Sequence, residues 1–158
     1  MKFYKIQGNK KGLLKLIISS ALIVLFVNSI IFIFNFRNSN SNLELVRSPL
    51  LPAPYIIGTV WLFLILCMSY SQWILIKKNS YKNNLFLIPI LFIICILYPF
   101  YTQKFNNESI SLVANLVVIS YSSFISGKIY QISKTSSFLI FLTAVWVTFA
   151  TYATNIKF

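Results

Sequence analysis

The feature that most constrains this chain is a series of five long apolar segments that carry almost no charge. They comprise residues 16–36, 55–76, 85–101, 110–132 and 137–154. A helix needs about 20 apolar residues to cross the ~30 Å hydrocarbon core of a bilayer, so the segments suit membrane crossings. They fill most of the 158 residues. The sequence therefore predicts an all-α integral membrane protein, one membrane domain that is a bundle of five transmembrane helices.

Composition and charge agree with a membrane location. Hydrophobic residues make up 58% of the chain and charged residues only 10%, against about 25% charged in soluble domains. The 14 Lys and Arg residues lie near the ends of the apolar segments and in the stretches outside them, without the basic face and interleaved aromatics of a nucleic-acid site. The predicted partner of this charge is therefore the lipid bilayer, and no nucleic acid is expected.

The distribution of the cations predicts the orientation of the chain. The N-terminal segment and the connections that would share its side carry ten of the Lys and Arg residues, and the opposite side carries four. Short loops rich in Lys and Arg stay in the cytoplasm. We expect a multi-pass protein of a bacterial plasma membrane, with the N-terminus cytoplasmic and the first loop and C-terminus outside.

The sequence offers few groups for catalysis or for metal binding. It has no His, its only acids are Glu44 and Glu108, and its only thiols are Cys67 and Cys95, both inside apolar segments. Metal clusters, carboxylate pairs and nucleophile-base arrangements need more such residues than this. The sequence predicts neither an enzyme, nor a metal site, nor a required cofactor. Proton-coupled transport is also disfavoured, because it normally uses an ionisable residue inside a span.

Prolines mark two places along the chain. The longest polar connection, 37–54, contains Pro49, Pro52 and Pro54, which stiffen it and predict an ordered cap over the bundle. Pro99 lies near the end of the third apolar segment, where it indicates either the end of that helix or a bend.

Polar and aromatic residues recur at helical spacing on one face of three predicted helices. These faces carry Gly58, Trp61, Ile65, Met68 and Gln72 in the second helix, Ser111, Asn115, Ser122 and Ser126 in the fourth, and Thr143, Trp146, Ala150 and Thr154 in the fifth. Such faces have two interpretations, which are helix packing and a binding site. For packing, the pairs Ser122 with Ser126 and Ser123 with Gly127 would let helix backbones approach closely.

The three tryptophans differ in position. Trp61 and Trp146 lie several residues into their segments, deeper than an ordinary interfacial belt, so they are candidates for a binding site as well as for packing. Trp73 lies beside Lys77 and Lys78, which is typical of an interfacial anchor.

Two sequence blocks resemble a known family. The first runs from Pro52 to Trp61 and contains Gly58-Thr59-Val60-Trp61, and the second is Trp146-Val147-Thr148-Phe149-Ala150-Thr151-Tyr152. Their order and spacing are similar to those of the TspO, or translocator protein, family, also called tryptophan-rich sensory proteins. The third helix departs from the family pattern and keeps only its proline, Pro99.

The resemblance implies a five-helix bundle with a ligand pocket between the helices, covered by the proline-rich first loop as a lid. Family members look like binders of porphyrins, other tetrapyrroles and sterol-like hydrophobic molecules, some act as sensors, and homodimers are common. A tetrapyrrole-modifying activity has been suggested for the family, and it stays open as an alternative to binding alone. By position, Pro52 would belong to the lid, Trp61 and Trp146 would line the pocket, Ala150 would keep it open, and Asn115 would lie beside a polar pocket position.

Three further candidates come from the residues themselves. Met68 and Thr143 share helix faces with Trp61 and Trp146, and Arg47 is the cation of the lid segment that could bind a porphyrin carboxylate. The predicted function is a membrane binding protein or sensor for hydrophobic planar ligands. The alternative is a small accessory subunit that binds a partner protein. The two differ in geometry, because pocket residues face the bundle interior and partner-binding residues face outward.

Overall fold

The structure is a computed structural model that describes residues 10–33, 52–78, 86–105 and 108–155. Within these residues the chain forms five α-helices. The helices are α1 (Lys10–Ile33), α2 (Pro54–Lys78), α3 (Leu87–Phe105), α4 (Glu108–Tyr130) and α5 (Lys134–Asn155). The predicted all-α, five-helix membrane fold is therefore confirmed. Arg47 and the rest of the predicted lid up to residue 51 lie outside the described residues.

The helices run antiparallel to their neighbours in sequence and form one bundle, in which α2 contacts α1, α5 and α3, and α4 contacts α5 and α3. The α4–α5 interface is the most extensive, followed by those of α2 with α5 and α1 with α2. Every lysine whose side chain is described lies at one end of the bundle, which we call the lysine end. The opposite end, where Pro52 and Pro54 lead into α2, is called the proline end.

The helix limits differ from the predicted spans at two places. Helix α1 begins at Lys10 instead of residue 16, because lysines just outside the hydrocarbon can continue a helix with their amino groups in the headgroup region. Helix α3 continues through Pro99 to Phe105, so this proline does not end the helix. By length and composition, α1, α2, α4 and α5 can each cross a membrane, and α3 has a shorter apolar part.

Helix ends are stabilised by local groups. Pro54 occupies the first position of α2, where its missing N–H has no helical partner to lose, and the carbonyl of Ala53 accepts hydrogen bonds from the first turn. The hydroxyl of Ser133 accepts a hydrogen bond from the amide of Ser136, which makes Ser133 the N-cap of α5.

Serine hydrogen bonds join four helices in the half of the bundle nearer the lysine end. The hydroxyls of Ser20 in α1 and Ser69 in α2 are 2.7 Å apart. Further along α2, Ser71 donates to the carbonyl of Ser136 in α5 at 3.2 Å. The hydroxyls of Ser126 in α4 and Ser137 in α5 are 2.9 Å apart, and each also lies within hydrogen-bond distance of the other's carbonyl, so their two protons form two of these three bonds at a time. Such bonds contribute about 0.6 kcal/mol each within a membrane.

Only part of the predicted small-residue packing occurs. Ser122 and Ser126 are buried between helices, as the packing interpretation requires. Ser123 and Gly127, the second pair, are exposed, and a Cβ added to Gly127 would meet no atom within 4 Å. That part of the prediction was wrong because α4 turns the Ser122 side of the helix toward α5 and therefore turns the neighbouring side away from it.

Candidate functional site

An aromatic and polar cluster lies where α2, α3 and α4 meet in the proline half of the bundle. The ring centroids of Trp61 and Tyr98 are 6.4 Å apart, with 33° between the ring planes. A side-chain hydrogen bond joins Tyr98 to Asn115, which is only 8% exposed. Aromatic pairs at about 4.5–7 Å attract each other beyond simple burial. Trp61 and Asn115, two predicted site residues on different helices, are therefore connected through Tyr98.

Tyr98 is a member of this cluster that sequence reasoning missed. It lies directly before Pro99 in a helix to which no polar face was assigned. The available signal was its residue type, because a tyrosine within an apolar span needs a partner for its hydroxyl. Which partner it takes depends on how α3 packs against α4, and this the sequence pattern does not specify.

Two polar atoms on the face of α5 that packs into the bundle have no hydrogen-bond partner among the described residues. They are Oγ1 of Thr143, which has no exposed surface, and Nε1 of Trp146. The two residues are three positions apart and therefore lie on the same side of α5. A buried polar group without a partner costs about 1–3 kcal/mol. A bound molecule that accepts a hydrogen bond from either atom would recover part of this cost.

Both deep tryptophans contact one hydrophobic core. Trp61 from α2 and Trp146 from α5 are half-buried and pack against the same cluster, which includes Met68 and Val147. Trp146 also contacts Phe149, with ring centroids 5.6 Å apart. The two indoles therefore reach the bundle interior from neighbouring helices, as the spacing of the polar faces predicts.

The remaining predicted site residues are placed differently. Met68 is 1% exposed and fills the core, so it can contact a ligand only if the core opens beside it. Ala150 is half-buried one turn beyond Trp146, and Pro52 is half-buried two residues before the start of α2. Arg47 belongs to the part of the chain outside the described ranges. The ligand-binding roles of all eight residues stay predictions.

The third tryptophan belongs to the opposite end of the bundle. The ring of Trp73 stacks on Tyr70 at 5.6 Å, and Nζ of Lys77 lies 5.3 Å from its centroid. An aromatic ring beside a lysine at a helix end is typical of a membrane interface. Trp73 therefore provides a natural internal control for experiments on Trp61 and Trp146.

A shallow depression of about 490 Å³ lies on the outer side of α4, away from the predicted site. Its lining residues are Val113, Leu116, Val117, Ser120, Tyr121 and Phe124. None of the eight predicted site residues lines it. The depression is thus a separate surface feature of the helix.

Thiols and metal ligands contribute little to the site. Cys67 and Cys95 are buried free cysteines within the core of the bundle. Within the described ranges, no group of three or more His, Cys, Asp or Glu residues is placed to hold a metal ion.

A bundle of apolar helices that packs around aromatic and polar side chains defines a multi-pass α-helical membrane protein. Within that class, the model of the TspO/MBR family matches residues 16–156, which is nearly the whole chain. The chain therefore belongs to the TspO/MBR family, as the two sequence blocks indicate. Comparisons with curated proteins and with solved structures found no match.

Proposed function

We propose that this protein binds a planar hydrophobic ligand, a porphyrin or another tetrapyrrole, between its helices, and that it acts as a membrane ligand-binding protein or sensor. The observation that carries the proposal is a pair of buried atoms, Nε1 of Trp146 and Oγ1 of Thr143, for which the described part of the chain offers no hydrogen-bond partner. Both can donate a hydrogen bond to a ring nitrogen or a carboxylate. Membership of the TspO/MBR family is consistent with a ligand-binding role in the membrane.

The direction of the polar faces favours a small ligand over a partner protein. Asn115, Ser122 and Ser126 on α4 are buried, and Trp61 and Trp146 pack against the core. An accessory subunit that bound a partner through these faces would turn them toward the lipid. The inward orientation supports a site inside the bundle, where a planar ligand would gain about 0.5–1.5 kcal/mol from each aromatic contact.

We also propose that the lysine end lies in the cytoplasm and that the proline end opens on the other side of a bacterial plasma membrane. The clustering of the described lysines at one end supports this orientation. The ligand would be bound without chemical change, since the chain contains no His and only two acidic residues.

The test is a titration of the purified protein in detergent with protoporphyrin IX, followed by the shift of the porphyrin absorbance band. We expect Trp61→Phe and Trp146→Phe to raise the Kd about fivefold or more, because each weakens a stacking or hydrogen-bonding contact worth about 1 kcal/mol. Arg47→Ala is expected to weaken binding of the dicarboxylate porphyrin but not that of its dimethyl ester. Trp73→Phe is the matched control and should leave the Kd unchanged.

Quenching of tryptophan fluorescence gives a second readout. A protein with only Trp73 left, made by combining Trp61→Phe and Trp146→Phe, should lose most of the porphyrin-dependent quenching. Equal dissociation constants for the wild type and both single variants would contradict the proposal. Absence of porphyrin binding together with stable capture of a defined membrane protein would favour the accessory-subunit alternative.

A further inference from the structure

The depression on α4 ends beside a positive charge. Phe124 is one of its lining residues, and Nζ of Lys128 lies 5.6 Å from the centroid of the Phe124 ring. Lys128 is in the last turn of α4, at the lysine end. A lysine at such a position lays its alkyl stem along apolar surface and holds its ammonium among the lipid headgroups. The depression and the cation therefore form one continuous strip on the same side of α4.

The strip runs along more than half of α4. The depression begins at Val113 and ends at Phe124, which lie eleven residues apart along the helix. This separation corresponds to about 16 Å. This is about half of a ~30 Å hydrocarbon core. Lys128 lies four residues beyond Phe124, about 6 Å further, so the whole strip runs about 22 Å from the headgroup level and passes the middle of α4.

One wall of the depression is held in place from a second helix. The hydroxyl of Tyr121 donates a hydrogen bond to the carbonyl of Leu87 at the start of α3, at 3.3 Å. This bond fixes the Tyr121 ring at the junction of α3 and α4. Phe124 and Val117 are 56% and 48% exposed and form the open apolar surface beside it.

We propose that this strip is a binding site for an anionic phospholipid of the leaflet at the lysine end. One acyl chain lies in the depression along α4, and the ammonium of Lys128 binds the lipid phosphate. The apolar lining suits the chain, and the positive charge at its end complements a headgroup with net negative charge.

A second copy of this chain fits the strip less well. A symmetric dimer places the same surface of both copies face to face, so it would bring the two Lys128 side chains together. The chain has only two acidic residues to offset them, and one of these, Glu108, begins α4 at the far end of the helix. An anionic lipid satisfies the charge and the apolar surface together.

The test is native mass spectrometry of the intact protein, released from detergent that contains phosphatidylglycerol or phosphatidylcholine with identical acyl chains. We expect the first phosphatidylglycerol to bind more tightly than the first phosphatidylcholine. Lys128→Gln should reduce this preference about fivefold, which corresponds to the loss of about 1 kcal/mol for one lysine at an anionic headgroup. Glycerol phosphate, which has the charged group without the chains, should not bind.

Two controls separate a defined site from general attraction to charge. Lys77 pairs with Trp73 on α2 as Lys128 pairs with Phe124, so Lys77→Gln should preserve the preference. Val117→Phe fills the depression and should weaken the binding of both lipids, whereas Val145→Phe, at an exposed position of α5, should not. Circular dichroism verifies that each variant is folded.

The proposal is overturned if Lys128→Gln and Lys77→Gln reduce the lipid preference equally, because the charge would then act over the whole surface. It is also overturned if Val117→Phe leaves lipid binding unchanged, or if this variant converts a dimer to a monomer without altering lipid binding. Porphyrin titration of the same variants should match the wild type, so the two proposed sites can fail independently.

Discussion

The aromatic rings of Trp61 and Tyr98 lie 6.4 Å apart, although one belongs to the start of α2 and the other to the second half of α3. The contact links the first of the two tryptophan blocks to a helix that departs from the family pattern. Because Tyr98 also bonds to Asn115, we expect a substitution at any of the three residues to affect the other two.

Removal of the Tyr98 hydroxyl should destabilise the fold and weaken ligand binding together. Tyr98→Phe leaves the buried amide of Asn115 without this partner, so we expect a loss of about 1 kcal/mol in the free energy of unfolding in detergent. The double-mutant cycle with Asn115→Leu should give a coupling of about 0.6 kcal/mol or more. Tyr152→Phe, at an exposed position of α5, is the control. Strictly additive effects of the two substitutions would contradict the coupling.

The atom without a partner at Thr143 predicts opposite effects on stability and binding. Thr143→Val removes a buried hydroxyl that has no hydrogen bond within the described residues and keeps the shape of the side chain. We expect the melting temperature of the ligand-free protein to rise, because this substitution relieves a desolvation cost of about 1 kcal/mol. Porphyrin affinity should fall about fivefold if the ligand accepts a hydrogen bond from this atom.

Thr148→Val tests whether that effect is specific to Thr143. The Thr148 hydroxyl donates to the carbonyl of Ala144 within its own helix, so its removal should not stabilise the ligand-free protein. A fall in melting temperature for Thr143→Val would show that its hydroxyl is satisfied.

The reciprocal serine bonds between α4 and α5 should act as a unit. Ser126→Ala and Ser137→Ala each remove part of the same set of hydrogen bonds, so the double variant should be less destabilised than the sum of the two single variants. We expect a coupling of about 0.6 kcal/mol or more in unfolding by denaturant. Ser123→Ala on the exposed side of α4 should change the stability little.

Alanine at Gly127 should stabilise α4. The position is exposed and an added Cβ meets no atom within 4 Å, so the substitution introduces no clash. Glycine within a helix costs about 0.5–1 kcal/mol relative to alanine, so we expect the free energy of unfolding to rise by that amount and the melting temperature to rise with it. A destabilised Gly127→Ala variant would instead indicate that another helix or a second copy of the chain contacts this position.

The number and type of helices could be predicted from sequence because apolar segments of membrane length have few alternatives in lipid. The limits of the helices were harder to predict, because a helix can include or exclude residues such as Lys10 and Pro99 depending on its surroundings. For the site, helical spacing identified the inward faces of Trp61 and Trp146. It could not identify Tyr98, whose contacts depend on the packing of three helices.

The packing of small residues shows the same limit. Ser122 with Ser126 and Ser123 with Gly127 have identical spacing, yet only the first pair is buried. Adjacent residues on a helix point about 100° apart, so two such pairs cannot both face one neighbour. The first pair is buried because α5 packs against that side of α4, where Ser137 hydrogen-bonds to Ser126.

Among the described residues, the serine bonds between helices all lie in the half of the bundle nearer the lysine end. They connect α1 to α2, α2 to α5 and α5 to α4 on the lysine side, whereas the sequence of α3 contains no serine. Separating helices on that side requires interhelical bonds to break, and in the other half α3 is held to its neighbours by the Tyr98 contacts. We therefore expect the helices to separate more readily at the proline end than at the lysine end, so amide hydrogen exchange should be slower at Ser71 than at Trp61.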